Sequence, residues 1–197
     1  MKRRTFDALL ASVGLVLAAL LLVAGGLLTW GHSFVTNEVR NQLAAQQIFF
    51  PAKGSAALEP PTIGPYLNQY AGQQMLTGQQ AEAYADHFIA VHLQKIGGGK
   101  TYSQLSAAAQ ADPNNTVLAG QVETTFKGET LRGLLLNAYA FGKIATIAGI
   151  AAIISFIGAF IMLLLAGLGF WHLRRTPQDT ELLPGLDKHT PDVAAVG

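Results

Sequence analysis

The stretch IATIAGIAAIISFIGAFIMLLLAGLGFW, residues 144–171, decides the fold. It runs 28 residues without an Asp, Glu, Lys or Arg, and Arg174 and Arg175 follow it directly. A hydrocarbon core of about 30 Å needs roughly 20 apolar residues in a helix, so this run is long enough to span and to tilt or protrude. A buried core helix of a soluble protein would rarely need so long a charge-free stretch. Working outward toward the N-terminus, residues 8–30 (ALLASVGLVLAALLLVAGGLLTW) repeat the pattern over 23 residues. At a rise of about 1.5 Å per residue they reach roughly 35 Å. Trp30 closes this run, and Phe170 with Trp171 close the other, as amphipathic rings do at a headgroup boundary.

Lys2, Arg3 and Arg4 before the first run resemble the basic region of a signal peptide. Such a peptide, however, has an apolar segment of only about 7–15 residues before a small-residue cleavage site. The first run is longer and lacks a clear site, so a retained anchor is expected. The basic clusters at 2–4 and 174–175 belong on the cytoplasmic side by the positive-inside tendency. Both termini are therefore expected inside. The intervening chain carries seven basic and seven acidic residues, dispersed, and does not compete with those clusters.

The expected architecture is all-α: two transmembrane helices in a hairpin, with a small helical extracytoplasmic domain inserted between them. The segments are a cytoplasmic N-terminus at 1–7, the spans at 8–30 and 144–171, the outer domain at 31–143 and a cytoplasmic tail at 172–197. In that tail, residues 176–197 contain Pro177, Pro184 and Pro191 among acidic residues, the composition of a disordered segment. It is too short for a catalytic output domain. The plasma membrane is the expected location.

In the outer segment, Val35, Val39 and Leu43 recur every four residues and extend the first span as a helix. Residues 50–65 hold four prolines and two glycines and read as an irregular connection. Thr77 with Gln80, and Thr101 with Gln104, each have the form of a capping box. The first opens a helix to about Ile96, stopped by Gly97, whose buried side is expected from Ala81, Tyr84, Ala85, Phe88, Val91, His92, Leu93 and Ile96. The second opens a short helix ending by Asp112-Pro113. Asn115 or Thr116 then caps a further helix, which Gly128 is placed to break or bend. From Glu129 a stripe of Leu131, Leu134, Leu135, Ala138 and Phe141 leads into the second span.

Composition narrows the chemistry. Without cysteine there is no disulfide, thiolate metal site or cysteine nucleophile. A net charge of +1 gives no nucleic-acid footprint. The spans hold almost no polar atoms beyond Ser12, Thr146 and Ser155, so an ion pathway or transporter is not expected. Glu82, Asp86 and His87 form the densest polar cluster and are the candidate for carboxylate or metal chemistry. Against it, His87 and His92 lie five apart, about 140° around an ideal α-helix, and do not converge. A solvated acidic face is the preferred reading.

Gly97-Gly98-Gly99-Lys100-Thr101 ends like a phosphate loop, but Gln94 stands where the first glycine of that motif is required. A helix stop is expected there. Asn114-Asn115-Thr116 fits a glycosylation sequon, a tripeptide common by chance. Ala151, Ser155 and Ala159 on the second span, with Gly14 and Ala18 on the first, form small-residue lines at four-residue spacing. They are the candidate helix-packing seam, either between the two spans or toward another subunit.

Several segments resemble a known family: 79–93 (QQAEAYADHFIAVHL), 99–103 (GKTYS) and 128–139 (GETLRGLLLNAY). The chain is similar, over most of its length except the tail, to an actinobacterial family of small two-span membrane proteins of unknown function. Members often carry the label of an aromatic ring-opening dioxygenase small subunit. That label implies non-haem iron held by paired His and carboxylate ligands, a set the spacing here does not supply. The resemblance implies the two-span topology and the bacterial plasma membrane, and it brings no catalytic residues. The expected function is that of a non-enzymatic accessory or scaffold subunit without a cofactor. Its expected partner is the lipid bilayer, with another membrane protein or a second copy as candidates, no nucleic acid and no known small-molecule ligand. The alternative is an extracytoplasmic sensing module that signals through a partner.

Overall fold

The computed structural model describes residues 3–175; the expectations for Lys2 and for the tail at 176–197 lie outside the described residues. Among the described residues the protein is helical, with no strand and one isolated bridge between Phe49 and Gln74. Two helices dominate: α1 (Arg3–Gln46) and α6 (Thr116–Arg175). Between them lie a 3-10 turn (Ala56–Leu58), α2 (Gly64–Leu67), a second 3-10 turn (Asn68–Tyr70), α3 (Gly78–Tyr84), a π-helical turn (Ala85–Ile89), α4 (Ala90–Ile96) and α5 (Tyr102–Ala111). Both α1 and α6 contain a segment long and apolar enough to cross a membrane. The chain divides into two compact units, one formed up to Leu28 and from Ile150 onward, the other by Thr29–Gly149.

Among the described residues of the first unit, the buried ones are Ala11, Ala18, Gly25, Ala152, Ala159 and Ala166. Each set repeats every seven residues, the spacing that keeps one seam of a helix facing a partner over many turns. Contacts pair the segments in opposite sequence order. A Cβ added to Gly169 would stand 3.1 Å from Ala11, one on Gly158 3.3 Å from Leu21, and one on Gly25 2.9 Å from the Phe156 ring. Apart from Leu21 and Phe156, which lie against seam glycines, many Leu, Ile and Phe side chains point away from this seam, among them Leu20, Leu27, Ile154, Ile157 and Phe160, all at least half exposed.

The second unit has the opposite interior. Ile63, Leu67 and Met75 are fully buried, and Leu43, Phe50, Leu58, Ile89, Leu93 and Leu135 complete the core. Aromatic rings pass through it in sequence: Tyr70 to Phe50 at 5.2 Å, Phe50 edge-on to Tyr84 at 5.5 Å, Tyr84 to Phe88 at 4.7 Å, and Phe88 to His92 at 4.5 Å. Burial pushes the Tyr84 hydroxyl above its ordinary pKa.

Helix ends follow local chemistry. Thr77 and Thr101 each accept from the backbone N–H three residues on, and Gln80 and Gln104 return the bond, so both capping boxes form. Asn115 Oδ1 accepts from Leu118 N at 3.0 Å, which makes Asn115 the cap of α6. The expected stop at Gly97 is made by three glycines together. Gly97 keeps helical angles, Gly98 turns left-handed at φ 57°, and Gly98 and Gly99 donate back to the Lys95 and Gln94 carbonyls. This is the Schellman arrangement, and it leaves Lys100-Thr101 as the lead into α5 rather than a phosphate cradle.

Two expectations need correction. Gly128 neither breaks nor bends the chain into separate helices, since α6 is one element through it. Its bare Cα instead admits Leu93, whose methyls a Cβ there would overlap. Ile96 is exposed, and Ile89, absent from the expected buried side, is buried. The reason is the π turn. A strict four-residue row drifts about 40° per step around an α-helix, because four residues exceed one 3.6-residue turn. One π turn, with its i→i+5 bond from Ala90 N to Ala85 O, resets that drift, so Ala81, Ala85, Ile89 and Leu93 stay on one face. The stripe from Leu131 does run on into the second apolar run within α6, with Leu135 buried and Leu131, Leu134 and Phe141 exposed.

Candidate functional site

Glu82, Asp86 and His87 do come together, on the rim of one open hollow of about 490 Å³ that Tyr66, Gln69 and Gln79 also line. The π turn is what lets this happen, because it carries Asp86 and His87 and alters the angle that an ideal helix would set between positions 82 and 87. π turns recur at functional sites.

Every one of them is engaged. Asp86 Oδ1 accepts from Arg132 Nη2 at 2.8 Å, and Arg132 also reaches Glu129 at 3.5 Å. The carboxylates hold the Arg132 guanidinium above its ordinary pKa, the bond to Asp86 contributing most. Glu82 accepts from the Tyr139 hydroxyl, and this bond raises the pKa of Tyr139. The His87 ring lies flat on Tyr66, 3.4 Å between centroids with 1° between planes. His92 takes no part: its Nδ1 donates to the Phe88 carbonyl at 2.7 Å and its ring packs on Phe88. The two histidines therefore stand apart, as expected, although the angular argument for it assumed an unbroken α-helix. Among the described residues no three His, Asp or Glu side chains group as metal ligands. Tyr66, Arg132 and Tyr139 were not legible as members of this cluster. Arg132 lies 46 positions from Asp86, and only the packing of α6 against α3 and the π turn joins them.

A second concavity in the same unit is an apolar groove of about 430 Å³, where Phe34, Val35 and Val39 face Leu131, Leu134 and Phe141. Phe34, Leu131, Leu134 and Phe141 are exposed there, whereas Val39 also packs against the core.

The small-residue seam is distributed differently from the four-residue lines. Ala18 and Ala159 are fully buried, and Gly14 is half-buried with Ala166 Cβ 3.6 Å from where its own Cβ would be. Ser155 is half-buried and turns its hydroxyl onto the Ala151 carbonyl at 2.8 Å. Ala152, not Ala151, is the buried neighbour, because a seven-residue repeat selects 152, 159 and 166, whereas a four-residue row from 151 drifts off the seam.

Compared with known proteins, the chain matches no family model, no curated protein and no solved structure.

Proposed function

We propose that this chain is a non-enzymatic accessory or scaffold protein of the bacterial plasma membrane. Its apolar helical segments form a transmembrane hairpin, both termini are cytoplasmic, and the small helical domain inserted at 31–143 faces outward. The carrying observation is the inverted packing of the first unit, which buries Ala and Gly and exposes Leu, Ile and Phe. Only 17% and 11% of the two most apolar windows are buried, which supports lipid-facing spans over the core helices of a soluble fold. In water each exposed Leu or Ile would forgo about 1.5–3 kcal/mol of burial, whereas in lipid only close backbone approach rewards helix pairing. The scaffold role draws on the polar cluster, where Asp86 is paired with Arg132, Glu82 accepts from Tyr139 and the His87 ring is stacked on Tyr66. The resemblance to the actinobacterial two-span family forms part of the same proposal.

Lys100→Cys in this cysteine-free chain tests the topology. A membrane-impermeant maleimide is expected to label it in intact cells, and labelling only after lysis would reverse the orientation. Native mass spectrometry of the protein from mild detergent tests the role: a stoichiometric partner or second copy is expected, and a strictly solitary chain would end the scaffold reading.

A sensing module is the second reading. It is favoured by the open hollow at Tyr66, Glu82 and His87, together with the unbroken run of α6 from Thr116 to Arg175, which could carry a displacement. A thermal-shift screen against cell-envelope metabolites separates the two, since a sensor would be stabilised by its ligand.

A further inference from the structure

The strongest feature outside that cluster is a smaller hollow of about 250 Å³ in the second unit, lined by His32, Thr36, Arg40, Tyr139, Lys143 and Thr146 with the start of α3. Its chemistry is one-sided. Three of these side chains can carry positive charge, and no carboxylate lines it. Arg40 and Lys143 make no ion pair among the described residues, although the chain has nearly as many acidic as basic side chains. Lys143 Nζ lies 5.6 Å over the Tyr139 ring, while the Tyr139 hydroxyl turns away to Glu82. His32 is seated firmly. Its Nδ1 donates to the Ala145 carbonyl at 2.7 Å, and Gly149 makes room, since a Cβ there would stand 3.0 Å from that nitrogen. Nε2 remains as the ring's second polar atom.

Register places this hollow at a particular depth. His32 follows Trp30, the last residue of the first apolar run, by two positions, and Lys143 immediately precedes the second run. Trp30 stacks on Phe34 at 5.6 Å, an aromatic pair of the kind found at a headgroup boundary. Two cations, an imidazole and the Thr36 hydroxyl around a space of head-group size, at that depth, match a phosphate oxyanion, while the Thr146 hydroxyl donates to the Gly142 carbonyl at 2.9 Å. An attached ammonium group would be repelled by Arg40 and Lys143.

We propose that this hollow binds a phosphate group with no ammonium beside it, supplied either by an anionic phospholipid head group or by a soluble phosphate ester. The lipid source rests on the membrane reading above; the soluble source does not.

The test uses the full chain in detergent with native mass spectrometry. One arm adds equal phosphatidylglycerol and phosphatidylcholine; the other adds glycerol 3-phosphate. Preferential retention of phosphatidylglycerol supports the site and assigns the lipid source, and a glycerol 3-phosphate adduct without lipid preference supports it with a soluble source. Each basic charge is expected to contribute about five-fold, so Arg40→Gln with Lys143→Gln should cost about twenty-five-fold in retention. Arg40→Lys with Lys143→Arg should keep most of it, and Lys127→Gln, on a cation already paired with Glu123, should change nothing. Equal retention of both lipids with no glycerol 3-phosphate adduct overturns the site, as does indifference to the double Gln variant. Alkaline carbonate extraction of the same cells separates the two failures. A pelleted chain without phosphate preference loses only this site. A chain released to the supernatant loses the membrane reading, and the glycerol 3-phosphate arm alone then decides the site.

Discussion

The two units of this chain are built from the same apolar alphabet and use it in opposite senses. From Thr29 to Gly149 the large side chains Ile63, Leu67, Met75 and Leu105 are sealed inside. Among the described residues of the other unit nothing larger than alanine is buried, and Leu20, Ile154 and Phe160 stand exposed. Water drives large apolar groups inward, because the gain scales with the apolar area removed from it. Lipid offers no such gain, so what remains is the backbone approach that small residues permit. The contrast is what a lipid solvent around the first unit, as proposed, would produce, and it indicates which substitutions each unit should feel.

The largest separation is expected from truncating a leucine in each. Leu67→Ala should cost the second unit about 2–5 kcal/mol, read by denaturant unfolding in detergent. Leu20→Ala should stay within about 0.5 kcal/mol. Equal losses would mean that Leu20 has a protein partner. Next, Ile157→Arg, in the middle of the second apolar run, should carry an insertion penalty of about 2.5–3.5 kcal/mol, visible as a smaller carbonate-resistant fraction. A fully resistant variant would break the comparison at its root. A third substitution, Ala159→Leu, places bulk in the seam and should destabilise helix pairing by about 1–3 kcal/mol, while Phe160→Leu beside it should be nearly silent. Thermal melts in micelles distinguish them.

Smaller effects belong to the polar cluster. Asp86→Asn removes the partner of Arg132 from a pair that is about one-third exposed on each side, so a loss of about 0.5–1 kcal/mol is expected. The least visible change concerns titration. Because Glu82 raises the Tyr139 pKa above 10.0, the folded state favours the protonated phenol. That contribution is complete below the ordinary tyrosine value and is lost as pH rises through the higher folded one. Glu82→Gln should shift the phenolate absorbance of Tyr139 to lower pH, with Tyr139→Phe identifying the signal. An unmoved titration would exclude the Glu82 contact.

Much of this was legible along the chain, and the reason is range. Capping boxes at Thr77 and Thr101 involve residues three apart, so their chemistry is readable locally and both form. The continuation of the Val35, Val39 and Leu43 stripe in α1 is read equally directly, since a helix needs only its own backbone and one preferred face. The polar cluster was half legible. Its members on one helix were visible, but Tyr66, Arg132 and Tyr139 arrive from distant segments. The π turn at Ala85–Ile89 was not legible at all, because the sequence there satisfies an ordinary helix and only the core tells the row to keep one face.

Sequence alone determined the helical class, the two charge-free runs with their basic borders, and the points where helices start and stop, all consequences of backbone hydrogen bonding and local side-chain chemistry. Tertiary structure decided which small residues form the seam, why Gly128 is bare, and which groups empty into the hollow beside Arg40 and Lys143. Those depend on what approaches from another helix, and a one-dimensional pattern holds no record of which of its faces will be met.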